Sequence, residues 1–332
     1  MGRVDRTCVT PPLCSIAFCG ELRMNRIVLF LAGAIALMAV MASGAVQLTT
    51  VTLPGGVPLE MVAISPGSFQ MGAIYDDDNW AHNEEKPVHT VTIGYEFQMG
   101  RFELTQRQWL AVMGSWPGWP SEYVPNAPSG LGDNYPAYFV SWDDIRGTNG
   151  FLDRLNQHIA TTGQGAATFR LPSEAEWEYA CRADRATRFC FGDSNCSDAL
   201  DCTAGRDLAD YAWYCGNNGD LGTPGWGTKP VGGKLPNAFG LYDMHGNVFE
   251  WCEDWFQPPY LGYTGAPTDG SAWVIPVGSS RLVRGGCWFF DPDYCRSAYR
   301  YYDGTDLRSD YTGFRLSRTY TPISGVEPWM KY

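Results

Sequence analysis

The stretch RLVRGGCWFFDPDYCRSAYRYYDGTDLRSDYTGFRL, residues 281–316, decides how the rest of this chain must be built. It begins and ends with short strand-like runs, and Gly285-Gly286 makes a turn after the first. Between the runs lie two cysteines, two phenylalanines, five tyrosines and five aspartates, with almost no aliphatic residues. The 24 residues 289–312 cannot form a core of their own, so a scaffold must hold them. Because function concentrates on loops held by a rigid scaffold, we expect binding or chemistry here.

The composition around this stretch is that of a folded, irregular domain. The chain has 332 residues, of which 45% are hydrophobic and 14% aromatic, enough for one large domain or two small ones. The 38 glycines, 22 prolines and 13 tryptophans favour long loops packed by aromatic side chains. Composition does not change in a linker-like way inside 50–318, so a single α+β domain is predicted there, with a poorly ordered tail at 319–332.

Three helices are predicted by one local pattern, a hydroxyl residue at the N-cap with a polar acceptor three residues later. The helices run over 105–113, 141–158 and 173–183, and the pairs are Thr105 with Gln108, Ser141 with Asp144 and Ser173 with Glu176. On the third helix, Glu174, Glu176 and Glu178 are interpreted as capping and surface residues.

Strands are predicted on both sides of a turn at Pro66-Gly67, within 57–72, and as one long strand over 88–99. Helical periodicity is absent from 186 to 255. Long loops pinned by aromatic residues, or by metal, are expected there.

The first 45 residues are interpreted as segments outside the domain. Met24-Asn-Arg26, the apolar run 27–42 and the small residues 43–45 have the layout of a signal peptide, which predicts a secreted or periplasmic protein without a membrane anchor after cleavage. A transmembrane anchor is the alternative, but the apolar run is short for one and no stop-transfer charges follow. Residues 1–23 are explained most simply by a start codon assigned too early, with Met24 the true beginning.

The net charge limits the classes of binding partner, and the spacing of the cysteines predicts a disulfide. Residues 1–45 hold four of the 24 basic and two of the 36 acidic residues, so the remainder carries 20 against 34, a net charge of −14. This acidic balance argues against nucleic acid and anionic membranes as partners. Eight of the 11 cysteines follow the signal peptide, and the grouping of Cys190, Cys196 and Cys202 predicts a disulfide in that loop, with its pairing open.

Six motifs occur in order along the chain. They are GSFQMG at 67–72, ELTQRQW at 103–109, VSWDD at 140–144, FRLPSEAEWEYACR at 169–182, PNAFGLYDMHGNVFEW at 236–251, and RGG at 284–286 with GFR at 313–315. Together they resemble the formylglycine-generating enzyme, or sulfatase-modifying factor, family over about 59–318. The resemblance implies a single compact α+β domain of C-type-lectin-like architecture with little regular secondary structure. It does not determine activity, since one domain type serves unrelated roles.

The resemblance implies a requirement for enzyme activity. The oxidase of this family converts a sulfatase cysteine to formylglycine with oxygen and with copper held by two thiols, the soft ligands that Cu(I) selects. The second thiol aligns with Cys295, but the first falls on Phe290, which cannot ligate copper. Cys287 offers a thiol three positions earlier, so Cys287 and Cys295 are the candidate catalytic pair. Alternatively Cys295 is structural, with a disulfide to Cys252, and Cys287 is buried or paired elsewhere.

A calcium site is implied by the same resemblance within the motif at 236–251. The family's ligands fall on Asp243, the carbonyls of Gly246 and Val248, and Glu250. Two carboxylates with backbone carbonyls on a tight turn are the hard oxygen ligands that Ca²⁺ prefers. The alternative is that Asp243 and Glu250 only cap local turns. His245 inside this turn is interpreted as a packed or exposed side chain rather than a base.

A binding function is the competing hypothesis for the 281–316 stretch. Residues 289–312 contain no Lys, Glu, Gln, Met or Trp, the five residues that codons ending in C cannot encode. Retroelement-diversified proteins use this same domain, and adenine-directed mutagenesis of AAC codons leaves such a set; ordinary relatives rich in Asn, Asp and Tyr are the alternative. A Tyr-rich and Asp-rich patch on a rigid scaffold is typical of adaptable binding surfaces, here for a protein or peptide ligand. The candidate ligand-binding residues are Trp288, Phe289, Phe290, Tyr294, Tyr299, Tyr301, Tyr302 and Tyr311.

Overall fold

The structure of this chain, a computed structural model, describes residues 46–74, 80–116, 130–193, 206–220, 223, 225–258 and 261–319. The predicted upstream segment 1–23, the predicted signal peptide 24–45 and the tail after Thr319 lie outside these residues, as do Cys196 and Cys202. No helix within the described ranges is long and apolar enough to cross a membrane.

The described residues form short helices and strands joined by long loops. The helices are α1 (Gln106–Met113), α2 (Trp142–Arg146), α3 (Phe151–Thr162), α4 (Glu174–Arg182) and α5 (Arg206–Tyr211). The strands are β1 (Leu48–Leu53), β2 (Val57–Ile64), β3 (Gly67–Met71), β4 (His89–Ile93), β5 (Phe97–Gly100), β6 (Thr168–Arg170), β7 (Ala212–Trp213), β8 (His245–Gly246), β9 (Phe249–Trp255), β10 (Arg281–Arg284), β11 (Tyr301–Asp303), β12 (Thr312–Gly313) and β13 (Ser317–Thr319).

A five-stranded sheet joins the beginning and the end of the described domain. Its order is β1-β2-β5-β13-β6, and each neighbouring pair is antiparallel. The last strand therefore pairs between two earlier ones and closes the sheet. Trp109 of α1 stacks on Phe151 of α3 at 5.2 Å, and both rings meet Phe314 edge-on, so this core fixes the chain just before β13.

A four-stranded sheet, ordered β11-β10-β9-β12, carries the 281–316 stretch. Three of its strands come from that stretch, and β9 is the fourth. β10 is antiparallel to β9 and β11, whereas β12 lies parallel to β9. The long segment between β10 and β12 is therefore held at both ends by one ladder, as its composition required.

The predicted helix starts are confirmed. The Thr105, Ser141 and Ser173 hydroxyls each accept from the backbone N–H three residues on, and each reciprocal side-chain bond is present. The single helix expected over 141–158 is instead α2 and α3, because Gly147 to Gly150 interrupts it with Asn149 at φ +60°.

Two strand predictions need correction. The strand expected over 88–99 is two strands, β4 and β5, that belong to different sheets. The region 186–255, where loops were expected, also contains α5, β7 and β8 and ends in β9, an interior strand of the four-stranded sheet. The strand, turn and strand predicted within 57–72 are confirmed as β2 and β3.

The interpretation of the α4 glutamates as surface residues was wrong, since every residue of α4 is buried. Glu174 accepts from Arg300 at 2.6 and 2.9 Å, and Glu178 pairs with both Arg182 and Arg284. The pairs made by Arg284 and Arg300 join α4 to the 281–316 stretch and hold it in place, whereas the Glu178–Arg182 pair lies within α4. Separating a buried ion pair leaves each charge with neither its partner nor water around it. Such pairs therefore favour a single arrangement of the segments that they join.

Candidate functional site

A glycine turn places the loop that follows β10. Gly285 and Gly286 both have positive φ, +100° and +74°. A Cβ at Gly286 would come within 2.7 Å of Cys295 Sγ and 2.8 Å of the Tyr294 carbonyl oxygen. Only glycine leaves room for this approach, which folds the loop back over the four-stranded sheet.

The structure brings all eight predicted ligand-binding residues into one network of ring contacts. Phe290 is its centre: it stacks on Tyr294 at 4.6 Å and meets Phe289 and Tyr311 edge-on at 5.4 and 5.7 Å. The remaining contacts extend the network in both directions through Trp288, Tyr299, Tyr301 and Tyr302.

The members of this network differ in exposure. Trp288 and Tyr299 are buried, so they support the network rather than face solvent. Phe289 and Tyr302 are 48% and 43% exposed. We call the solvent-facing part the aromatic face. It consists of the rings that are half-buried or exposed, namely Trp226, Phe289, Phe290, Tyr294, Tyr301, Tyr302 and Tyr311.

Three rings that complete the network were missed by the sequence analysis. Trp226 packs against Trp288 at 4.9 Å, Phe249 stacks on Tyr301 at 5.5 Å, and Phe256 stacks on Tyr302 at 4.1 Å. Phe249 and Phe256 lie in and just after β9, which the absence of periodicity concealed. Trp226 stands alone in a glycine-rich loop, and an isolated large aromatic residue in such a loop was the available signal.

The three arginines within 289–312 bind carboxylates of the scaffold. Arg296 makes two 2.7 Å hydrogen bonds to the carboxylate of Glu85, and Arg300 binds Glu174. Arg308 makes two 2.6 Å hydrogen bonds to Asp144. Paired bonds of this kind hold a guanidinium in one orientation, so all three cations are taken up by the scaffold.

Asp303 behaves differently from those arginines. Its Oδ2 is buried and has no hydrogen-bond partner among the described residues. Burial alone raises the pKa of Asp303 to about 6. Burial, and after it the charge of Asp303, raises the pKa of Tyr301. The same two causes raise the pKa of Tyr311 to about 12. The carboxylate therefore lies within electrostatic reach of two rings of the aromatic face.

The candidate catalytic cysteines are both buried free thiols. Burial raises the pKa of Cys287 and of Cys295 well above the ordinary value, which disfavours the thiolate that binds copper. Phe290, at the position of the family's first thiol, is at the centre of the ring network. Cys252 is also a free thiol, so the alternative prediction of a disulfide between Cys252 and Cys295 was wrong.

Two further cysteines bear on the predicted disulfide loop. Cys190 is a buried free thiol, and Cys215, which the sequence did not single out, is disulfide-bonded.

His245 is packed in the core and has no free ring nitrogen. The Cys190 N–H donates to Nε2 at 3.1 Å, so Nε2 must be the acceptor. Nδ1 therefore carries the proton and donates to the Cys295 carbonyl oxygen at 2.7 Å. Both nitrogens serve backbone groups, which fits the interpretation of His245 as a packed side chain and not as a base.

The predicted calcium ligands lie on a strained turn. Asp243 has φ +55° and Gly246 has φ +81°, and a Cβ at Gly246 would come within 2.1 Å of the Trp213 carbonyl oxygen. Asp243 Oδ2 accepts from the Gly232 N–H at 2.6 Å, whereas Oδ1 is buried and without a partner in the described structure. Both Glu250 oxygens accept from Arg315 at 2.6 Å.

This arrangement fits a cation held by one free carboxylate oxygen and backbone carbonyls. Nowhere in the described ranges do three His, Cys, Asp or Glu side chains converge as a metal site, but the predicted site needs only two. Glu250 already has the Arg315 guanidinium as its counter-ion, and Trp177 Nε1 donates to its Oε2 at 2.7 Å. Of the two predicted carboxylate ligands, only Asp243 keeps a buried oxygen without a partner among the described residues.

Curled sheets, short helices and long ordered loops define a single α+β domain of the C-type-lectin-like class. Residues 52–320 match the family described as "Sulfatase-modifying factor enzyme 1-like domain". The chain belongs to this family.

Relatives within the family carry different names. A formylglycine-generating enzyme of Thermomonospora curvata is 29% identical over 77% of this chain and 92% of its own. The structure of PvdO from Pseudomonas aeruginosa is 31% identical, with a TM-score of 0.64, and the match covers 83% of this chain and 100% of that one. Treponema denticola variable protein 1 is 26% identical, with a TM-score of 0.60, over 82% and 99% of the two chains. The fold is thus shared by proteins of different description.

Proposed function

We propose that this protein is a secreted, non-catalytic binding protein whose aromatic face takes a protein or peptide ligand. The observation that carries the proposal is the contrast between the site's rings and its thiols. Phe289 and Tyr302 are exposed in a network that fixed glycines and buried arginines hold rigid. Cys287 and Cys295, which an oxidase needs in solvent-accessible form, are fully buried.

Aromatic rings suit this role for physical reasons. Tyr and Phe offer large contact areas with few rotatable bonds, so little conformational entropy is lost on binding. Leu307, which is 43% exposed, is a further exposed apolar side chain of the same stretch. Calcium is part of the proposal as a structural ion. Asp243, Glu250 and the carbonyls of Gly246 and Val248 would hold it, and it would supply positive charge that stabilises the turn before β9.

Selection from a displayed library of random peptides tests the binding function. Peptides that the purified protein enriches should lose at least about tenfold in affinity for a variant with Phe289→Ser and Tyr302→Ser, roughly 1.4 kcal/mol. The matched control carries Leu110→Ser and Leu235→Ser, which remove exposed leucines elsewhere on the domain. Equal loss in both variants, or no enrichment at all, would contradict the proposal.

The proposal includes diversification of the aromatic face by a retroelement. Its support is the absence of five residue types from 289–312 and the similarity to Treponema denticola variable protein 1. The DNA beside the gene provides the test. A neighbouring repeat of the coding sequence that differs only at adenines supports diversification, and the lack of such a repeat argues against it.

Copper-dependent oxidation of a protein thiol is the second candidate. It is favoured by the similarity to formylglycine-generating enzymes and by the two unpaired thiols in the functional stretch. Incubation with Cu(I), oxygen, a thiol reductant and a sulfatase-type cysteine peptide should then yield an aldehyde with release of hydrogen sulfide and water, and Cys295→Ser should abolish it. A protein that binds its selected peptides and forms no aldehyde is the outcome that the binding proposal expects.

A further inference from the structure

The charged groups that residues 289–312 leave without a scaffold carboxylate are acidic. Residues 289–312 contain three arginines and five aspartates, with no lysine or glutamate. The three arginine side chains are bound by Glu85, Glu174 and Asp144 of the scaffold. The cations of the stretch therefore serve to anchor it, and what the stretch presents to solvent is aromatic and acidic.

Asp303 has no cation beside it, although an arginine stands opposite in the ladder. Asp303 pairs with Arg281 across β10 and β11. The Arg281 guanidinium instead lies over the rings of Trp142 and Trp255, 3.9 and 3.4 Å from their centroids. No ion pair joins Asp303 to a basic side chain in the described structure, and one carboxylate oxygen has no partner.

Strand geometry aligns this carboxylate with the rings. Tyr301 and Asp303 are two residues apart on β11, so they project to the same side of the strand. Tyr301 stacks on Phe249, and Tyr311 meets the same ring edge-on at 6.4 Å. The hydroxyls of Tyr301 and Tyr311 form no hydrogen bond to any described residue, so they are available to a ligand.

We infer that Asp303, Tyr301 and Tyr311 form a subsite for a basic side chain, an arginine in particular, of a polypeptide ligand. This inference rests on the proposed function and names the chemistry of its ligand. A guanidinium stacks on a tyrosine ring and donates two hydrogen bonds to a carboxylate, which suits it better than an ammonium to this combination. Pairing would also satisfy a half-buried carboxylate that the protein leaves uncompensated.

A polypeptide fits this surface better than a small cation. The exposed ring of Tyr302 lies 5.8 Å from that of Tyr301, and exposed Phe289 connects to Tyr311 through Phe290, so a lone cation would leave both in contact with water. A peptide supplies both the charged group and apolar neighbours. The net charge of −14 outside the first 45 residues adds long-range attraction for a basic partner.

Frontal affinity chromatography on the immobilised full-length protein tests the subsite. The probes are hexapeptides of sequence GSGXGS in which X is arginine, lysine, norleucine or citrulline, the uncharged isostere of arginine. We expect the arginine peptide to bind about tenfold more tightly than the citrulline peptide. Absence of that preference in the wild-type protein, or no retention of any probe, overturns the inference.

Variants localise the preference. Asp303→Asn should abolish it, whereas Asp306→Asn, which removes the same charge from an exposed site three residues away, should preserve it within about twofold. Equal loss in both variants would show a general effect of net charge and overturn the subsite. Tyr311→Phe should preserve the preference and Tyr311→Leu should weaken it, because the ring supplies the contact. Thermal unfolding of each variant shows that it folds.

The outcomes separate this inference from the proposed function. Peptides that need Phe289 and Tyr302 but do not distinguish arginine from citrulline would leave the binding function in place and remove the subsite. Agmatine, a small guanidinium compound, should be retained less than the arginine peptide. Equal or stronger retention of agmatine would overturn the polypeptide part of the inference.

Discussion

Helix α4 and the 289–312 stretch are both rich in charged and aromatic residues, yet the fold treats them in opposite ways. In α4 every residue is buried, and its three glutamates accept from arginines of other segments, namely Arg170, Arg284 and Arg300. In the 289–312 stretch Arg296 and Arg300 are buried, whereas four of the five aspartates and four of the five tyrosines are half-buried or exposed. The comparison shows a division of roles: arginine–carboxylate pairs anchor the stretch, and most of its tyrosines and aspartates face solvent at least in part.

This division explains how a segment without a core stays ordered. Arg296 and Arg300 reach out of the stretch to Glu85 and Glu174, and two glycines set the turn that precedes it. Each anchor is a directional, bidentate contact, so the segment is fixed at a few points and its other side chains are free to differ. A binding surface can then change without loss of the fold.

The largest expected effect comes from removing one of those anchors. Arg296→Met leaves Glu85 as a buried charge without its partner, and we expect a loss of about 3–5 kcal/mol in the free energy of unfolding. Arg308→Met is the matched control, since Arg308 also makes two bonds to one carboxylate but is 35% exposed. The control should cost under about 1 kcal/mol. Urea denaturation measures the free energy of unfolding of both variants. Similar losses for Arg296→Met and Arg308→Met would show that the buried pair does not anchor the stretch more strongly than the exposed one.

The second prediction concerns Asp254, a scaffold carboxylate beneath α4. Its oxygens accept from the N–H groups of Glu174 and Trp273 at 2.7 Å, and burial raises its pKa from 3.8 to about 7. The folded state therefore prefers the protonated form. The stability that this preference contributes is complete below about pH 4 and is lost as pH rises through 7.

Asp254→Asn should make the free energy of unfolding depend less on pH between pH 4 and pH 8. The wild-type free energy of unfolding should fall between pH 4 and pH 8 by up to roughly 4 kcal/mol more than that of the variant, at about 1.4 kcal/mol per pKa unit. Asp269→Asn, at an exposed carboxylate, should retain the wild-type slope. Parallel profiles for wild type and Asp254→Asn would show that the carboxylate is not the source of the slope.

Local patterns predicted the helix starts well, because a cap depends on four consecutive residues. The Thr105, Ser141 and Ser173 boxes all formed as predicted. Elements that depend on distant partners were not predicted from the sequence. β9 is buried on both faces, so its sequence lacks alternation, and α4 carries glutamates that look solvent-exposed until Arg284 and Arg300 reach them.

That the aromatic residues of the candidate site lie together was predictable, and the environment of its charged residues was not. A run of Tyr and Asp without aliphatic residues has to lie on a scaffold, which identified the rings from Trp288 to Tyr311. The orientation of each side chain was not predictable, because it follows from the ladder of β9, β10 and β11. The separation of Arg296, Arg300 and Arg308 from Asp303 therefore emerged only from the structure.

The third prediction tests whether the aromatic face contributes to the fold. Tyr302 is 43% exposed and stacks on Phe256 at 4.1 Å, so Tyr302→Ser should cost about 1 kcal/mol of unfolding free energy. Phe289→Ser should cost less than about 1 kcal/mol. A loss above about 3 kcal/mol for either variant would show that its ring stabilises the fold. Weaker peptide binding by that variant would then reflect unfolding and not the loss of a contact.

The smallest expected effect lies where the two regions meet, at His82. Its Nε2 is 3.4 Å from Oδ2 of Asp293, which lies in the short helix Pro292–Cys295, and its ring packs edge-on against Tyr299. The hydrogen bond to Asp293, assisted by the charge of Glu85 and opposed by burial and by Arg296, raises the pKa of His82 above 6.5. Protonated His82 therefore stabilises the fold.

That contribution is present below pH 6.5 and is lost as pH rises through the raised pKa. His82 is 47% exposed, so solvent screens the pair, and its loss should lower the thermal midpoint by only on the order of 1 °C. The test is the midpoint difference between pH 5.5 and pH 8.5, which should shrink in His82→Gln and persist in His158→Gln. If His82→Gln left it unchanged while histidine NMR placed the pKa of His82 below 6.5, the contact between scaffold and face would be one of packing alone, and Tyr299 would be its source.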